Sequence, residues 1–576
     1  MDAYHSDYNT TQLRGADVVM SPQHLGAMHQ TRISFVRSLI RKMAQQQWEL
    51  TIFDWQLSSE GYGHVIYQMT TPTNLYHLVV FCDEIDDEDR NDRVIAEKWD
   101  VTFAFVQGAV DVNLLEQLRA NVPLQEAGRN PNNVLVLARA NKSVRVFDHI
   151  VDALSKGAQP TAEELASVGY ILRTTAVYGN GKFGIADFKL LEDNPDFSQS
   201  FSCQMCAVYL LRHFSLDWVH YLAECKGKEK AIRLDKRLQR YLGIGNATGL
   251  GMAPYLITHP CIVDQWLTIR EKAITEVMTM PYHADKLQEL LTLLAKARLH
   301  LQQVITINTE QDALNQAAIL ELDSLIEQLP KFDRKIHIWA DLMETILSFS
   351  FETQEIILSC LMEIYPDIVD PFALQMNTRE ELTIPGGKNT GDLLELLEHK
   401  YQWAIKIDFS LPENTYWFWY RSQDKEEPRL GVRGEEPGEE RELPLDIARQ
   451  VNELYSTLMN YSTDLPVAEF LLENPHYRSI TRRVWTMGNR VMGDIQMNVL
   501  RKDALPMHLL RCKLSMFGAT KFDPRSDRWV RVTFFQGAPL YDEVSDPNLA
   551  DNWLFPIMPS GDLALSACDS NNGGDL

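Results

Sequence analysis

The chain has 576 residues, of which 45% are hydrophobic, including twelve tryptophans; it is longer than one core usually serves, which predicts about two to four domains and excludes a disordered polymer. Its 79 acidic against 55 basic residues leave a formal charge of −24, a field that repels phosphate backbones and argues against a nucleic-acid partner. Eight thinly scattered cysteines predict reduced thiols, and the lack of a secretory leader or a long apolar run predicts a soluble, cytoplasmic protein with no membrane partner.

In chain order, residues 1–29 read as a loosely held polar arm. From Thr31 to Gln47, apolar residues at 33, 35, 36, 39, 40 and 43 recur at helical spacing, with Arg32, Arg37, Arg41 and Lys42 on the complementary side. Three runs of strand character, Trp48 to Leu57, Tyr62 to Met69 and Tyr76 to Cys82, are joined by short turn signals and predict an antiparallel meander. A fourth strand, Val101 to Gln107, precedes a helix starting near Asp111, so residues 1–125 read as a small α+β domain. Residues 126–380 read as a helical domain, periodic at 201–226, 261–279, 284–304, 310–329 and 334–364 and punctuated by Pro281 and Pro330, with 284–329 a helical hairpin. Residues 381–576 read as a mixed α+β domain with a linker at Ile384 to Gly391, an aromatic run at Thr415 to Tyr420, an acidic loop at Gly434 to Glu442, a strand at Trp529 to Phe535 and a frayed end. The expected fold class is multidomain and mainly α, with α+β portions at the N- and C-terminal ends.

Two glycine-punctuated segments in the helical region carry the strongest functional signal. Arg173 to Gly184, read as following a helix that ends near Leu172, holds Arg173, Thr174, Thr175, Tyr178, Asn180 and Lys182. Gly243 to Pro254, read as an extended polar turn, holds Asn246 and Thr248. Exposed backbone N–H groups among short donors and cations suit an anion. A dinucleotide loop must follow a strand, whereas Leu234, Leu238 and Leu242 mark a helix before the second segment; Phe183 stands where a triphosphate loop needs a hydroxyl. No NAD, FAD or ATP fingerprint results, and the cofactor stays unassigned.

Between the two segments, Cys206, Tyr209, His213, Asp217, His220 and Glu224 share one helical stripe. Such a stripe can ligate a metal or move protons, but the spacing lacks the His-Glu-x-x-His pattern, so the bland expectation is a solvent face with no metal ligand. Cys203 and Cys206 read as ordinary helical thiols, and the acids at 83–92 read as a helix-starting turn. In the last third, Arg429 beside Glu427 and Arg433 reads as a structural ion-pair network or a cation reaching a cleft, and Arg478, Arg482, Arg483 and Arg490 read as a solvated helix face.

These observations predict a cytoplasmic metabolic enzyme of lyase, hydrolase or isomerase type acting on a small anionic substrate. Arg173 and Lys182 are expected to fix the anion, Thr174, Thr175, Asn180, Asn246, Thr248 and Arg429 to add contacts, and His213, His220 or His259, with Tyr178, to handle protons. A homodimer is the expected assembly. The rivals are a non-catalytic interaction or regulatory protein and a metal-dependent enzyme using the His213/His220 helix face.

Overall fold

The computed structural model describes residues 13–85, 99–124, 130–174, 194–197, 202–249, 255–331, 337–376, 380–411, 420–421, 426–427, 447–495, 506–525, 529–544 and 553–559. Nine strands form one mixed sheet: β1 Glu49–Leu57, β2 Gly63–Thr70, β3 Leu75–Cys82, β4 Val101–Gln107, β5 Val134–Lys142, β6 Tyr170–Thr174, β7 Gly243–Gly249, β8 Ala519–Pro524 and β9 Trp529–Phe534. Their spatial order is β1-β2-β3-β4-β5-β6-β7-β9-β8. Every neighbouring pair is antiparallel except β6 and β7, which run parallel. The helices used below are α1 Phe35–Gln45, α2 Val112–Asn121, α3 Ala162–Val168, α4 Ser202–Gly227, α5 Pro260–Met278, α6 Ala284–Gln303, α7 Thr309–Gln328, α8 Phe351–Glu363 and α9 Pro506–Phe517. The fold is mainly helical with a single large sheet, and among the described residues no helix is long and apolar enough to cross a membrane.

The expected meander is present, with a bulge in β1 between Ile52 and Asp54. Val65, Tyr67 and Met69 of β2 and Leu78 and Val80 of β3 enter the main core, while Ile66, Val79, Phe81, Ala104 and Val106 face the other way into a second small core under Leu118 of α2. Asp111 caps α2 by accepting the Leu114 N–H at 2.8 Å, and α6 packs on α7 as the expected hairpin. The sheet itself crosses both expected boundaries, because β4 at the end of the first region pairs with β5, and β9 from the last region pairs with β7.

The arm and the basic face of α1 differ from expectation. Residues 13–29 include two short helices with Val19 and Leu25 fully buried, and Arg32, Arg37 and Arg41 are buried too. Their partners come from α8 and the short helix Pro366–Ala373 that follows it. Arg37 donates to both Glu363 oxygens at 2.6 and 2.9 Å, and Arg32 to Asp370 at 2.7 and 2.8 Å. Two turns earlier, Glu355 receives Arg14 Nη1 at 3.2 Å and a short contact from Arg270, and His24 Nε2 lies 2.6 Å from its Oε1. Glu352 accepts from Arg511 at 3.0 Å with His29 at 2.9 Å. The polar stripe of α1 is therefore a buried counterpart to acids more than three hundred residues away.

Burial alone raises a carboxyl pKa, but Arg270 and Arg14 outweigh it and hold Glu355 well below its ordinary 4.5. A carboxylate held low contributes stability that is complete above that ordinary value and is lost as pH falls towards the folded-state value. Replacing Glu355 by alanine leaves Arg14 and Arg270 to share Glu271 alone and is expected to cost about 3 kcal/mol in urea denaturation. The same change at Glu327, which is 78% exposed beside Lys331, is expected to cost less than about 1 kcal/mol.

Candidate functional site

The second glycine-rich segment is a strand, not a turn. Residues 243–249 lie between β6 and β9, with Gly243 level with Tyr170, Gly245 with Arg173 and Thr533, and Ala247 with Arg531. The first segment also starts in a strand: α3 ends at Val168, Gly169 turns the chain at φ +79°, and Tyr170 to Thr174 are extended. The glycines serve packing here. A Cβ on Gly245 would lie 2.4 Å from the Tyr170 ring, so only a residue without one lets Tyr170 cover β7. Parallel neighbours need a crossover, and residues 175–242, which contain α4, make it.

Cross-strand register sorts the predicted donors by face. Arg173, Gly245, Thr533 and Lys521 form one row across β6, β7, β9 and β8, and Ala247, Arg531 and Asp523 form the next. Side chains in such rows share a face, so Arg173, Arg531, Lys521 and Asp523 crowd the side opposite α4. Asn246 alternates to the α4 side, and the structure does not bring it to Arg173. Asn246 is buried, with Oδ1 lacking a hydrogen-bond partner among the described residues. Thr174 is buried as well and donates to the Arg139 carbonyl at 3.1 Å.

A small pocket opens on the Arg173 side, lined by Ser143, Arg145, Tyr170, Arg173, Arg531 and neighbouring residues, with an enclosed volume of about 10 Å³. That is room for one water-sized group, the scale of a single oxyanion oxygen, with the rest of any ligand outside. Arg173 and Arg531 are each 8% exposed, whereas Arg145 stands at the open rim. Behind them, Lys521 donates to the Ala166 carbonyl at 3.1 Å, and Arg525 pairs with Asp523 at 2.6 Å. Burial draws the Lys521 ammonium down to about 8, with Asp523 opposing and Arg525 and Arg531 adding to the effect. Burial raises the Asp523 carboxyl while Lys521, Arg525 and Arg531 counter it. Arg145, Arg173, Lys521, Arg525 and Arg531 around Asp523 make a local cationic face in a chain of charge −24. Sequence reading found Arg173 and missed the others, which lie far along the chain; the alternation of Lys521, Asp523, Arg531 and Thr533 was the available signal.

The histidine stripe of α4 faces the protein interior rather than solvent. His213 is 2% and His220 is 5% exposed, because both sides of the helix are packed. Asp217 accepts the Tyr67 hydroxyl at 2.7 Å, and His220 Nε2 accepts the Leu234 N–H at 3.2 Å. Beside them Arg212, fully buried, donates to the carbonyls of Leu242, Gln239, Arg240, Ala538 and Pro539 at 2.7–3.2 Å. Burial and the Arg212 charge push His213 well below its ordinary value. Among the described residues no group of three or more His, Cys, Asp or Glu is placed to hold a metal. Cys203 and Cys206 are buried free thiols. His259 is the N-cap residue of α5, without a side-chain capping bond, and is not among the lining residues of the Arg173 pocket. Of the expected basic helix face, Arg483 is instead buried, gripping Asp494 at 2.6 and 2.7 Å. Thr175, Tyr178, Asn180, Lys182 and Arg429 lie outside the described residues, as does the Thr248 side chain.

Burial, then Arg233, lowers His220 from 6.5 to about 4. A base with a lowered folded-state pKa takes its proton first in the unfolded chain, so the stability it confers is complete above 6.5 and falls as pH drops towards 4. The slope is about 1.4 kcal/mol per pH unit. His220→Asn retains an acceptor without a titration, and the difference between wild-type and variant stability curves from pH 7 to 4 is expected to show that slope. Comparison with known proteins gives no relative: no family model, no curated protein and no solved structure matches this chain.

Proposed function

We propose that this protein binds a small anionic molecule at the pocket between Arg145, Arg173 and Arg531, and that it is an enzyme of lyase, hydrolase or isomerase type acting on that anion. The observation that carries the reading is the concentration of cations on one sheet face of an otherwise strongly acidic chain. Two buried guanidiniums and a third at the rim bring positive charge to one pocket of a kind that attracts a carboxylate, sulfonate or phosphate, and the low-dielectric wall strengthens their field.

The proton-handling role passes from His213 and His220, which are in the core, to Lys521 and Asp523. A lysine drawn towards neutrality beside a raised carboxyl supports acid–base work near physiological pH. The absence of histidine from the pocket lining favours a second reading, a non-catalytic protein whose state responds to the same anion. A cytoplasmic location and a homodimer belong to the proposal in either form.

Thermal unfolding with inorganic phosphate, sulfate and small carboxylates, against sodium chloride at matched ionic strength, tests the site. An anion at a hundred times its dissociation constant is expected to add about 2.7 kcal/mol, and Arg173→Ala or Arg531→Ala to remove most of that gain. Equal shifts in chloride, or shifts untouched by both variants, would overturn the reading. Anion affinity is further expected to weaken as pH rises through about 8, where Lys521 loses its proton. Lys521→Met, followed by calorimetry from pH 6.5 to 9, is expected to abolish that dependence, and a variant that keeps it would remove Lys521 from the site.

A further inference from the structure

A second cavity lies on the opposite side of the sheet's C-terminal end, among the chain before α1, α6, α7, α9 and β8, and nothing in the anion reading uses it. Its volume is about 40 Å³, room for about three waters or a molecule of about four heavy atoms. Gln30, His300, Asn315 and Arg511 supply its polar wall, and Leu514 and Phe522 part of its apolar wall.

The polar groups have fixed senses. His300 Nδ1 lies 2.7 Å from the Pro556 carbonyl; a carbonyl only accepts, so Nδ1 carries the proton and Nε2, on the opposite ring edge, is left as an acceptor. Burial holds that imidazole neutral. Gln30 is 5% exposed, and its Nε2 has no hydrogen-bond partner among the described residues. Asn315 accepts from Gln311 Nε2 at 2.9 Å through Oδ1, which turns its amide N–H₂ to other partners. Arg511 is neutralised by Glu352 at 3.0 Å and is tied to the Met28 carbonyl at 3.0 Å. Amide donors, a neutral acceptor and a compensated charge describe a site for a neutral polar molecule; a free anion would meet an imidazole lone pair and a guanidinium already paired with Glu352.

We propose that this chamber binds a small neutral molecule carrying a carbonyl oxygen beside an N–H donor, the chemistry of a primary amide. The carbonyl accepts from Gln30 Nε2 and the Asn315 amide, and the N–H₂ donates to His300 Nε2. The buried donor left unpartnered is the feature that calls for a ligand, since such a group costs stability unless something pairs with it.

Saturation-transfer NMR on the full chain with acetamide, and separately with acetate, at about 20 mM tests this, a concentration suited to the weak binding that about four heavy atoms provide. Acetamide is expected to give signal and acetate little. Gln30→Met and Asn315→Leu, which keep side-chain size and remove the donors, are each expected to weaken acetamide binding by about fivefold, with circular dichroism showing which variants fold and either one sufficing. No acetamide signal on the folded wild type would mean that the chamber holds water only and would overturn the proposal. So would acetate binding as well as acetamide, or acetamide binding unchanged in a folded variant.

Discussion

One buried guanidinium sets the geometry on which the C-terminal end of the sheet depends. Arg212 sits inside α4 with no exposure and donates to the carbonyls of residues 239, 240 and 242, which deliver the chain into β7, and to those of 538 and 539, which carry it away from β9. A charge in such a place is tolerable only when its donors are used, and backbone carbonyls arranged around one fork leave little freedom. The parallel step from β6 to β7 thereby acquires a fixed register, and Gly245 comes to rest under Tyr170.

That register explains how an acidic protein holds a cationic face. The side of the sheet opposite α4 is apolar under α2, at Ile66, Val79, Phe81 and Ala104, and becomes cationic from Arg173 across to Lys521 and Arg531. The carbonyls at the end of α3 accept hydrogen bonds from Lys521 and Arg525, which lets these groups stay close without a carboxylate for each.

The acids of α8 do the complementary task at the other side of the molecule. Glu352, Glu355 and Glu363 bind Arg511, Arg270, Arg14, Arg32 and Arg37, so the N-terminal segment is held by charge as much as by apolar burial. Net charge says nothing of this arrangement, because pairing inside the fold is invisible to a sum over residues.

The amino-acid sequence determined by itself whatever depends on neighbours a few positions apart: the alternation in β1 to β4, the cap of Asp111, the hairpin of α6 and α7, and the presence of Arg173 in a candidate site. Gly243 to Gly249 did not read as a strand, since Gly, Asn and Ala have weak strand preference and extended form there comes from β6 and β9 on either side. The stripe of His213 and His220 read as solvent-facing because helical periodicity shows which residues share a face but not what covers it, and α4 is covered on nearly every side as far as His220. Arg32, Arg37 and Arg41 read as a polar surface for the same reason, their acids lying beyond residue 350. Arg531 and Lys521 could be joined to Arg173 only by the tertiary structure, because a hydrogen-bonded register between distant strands is set by packing, and no local pattern records it.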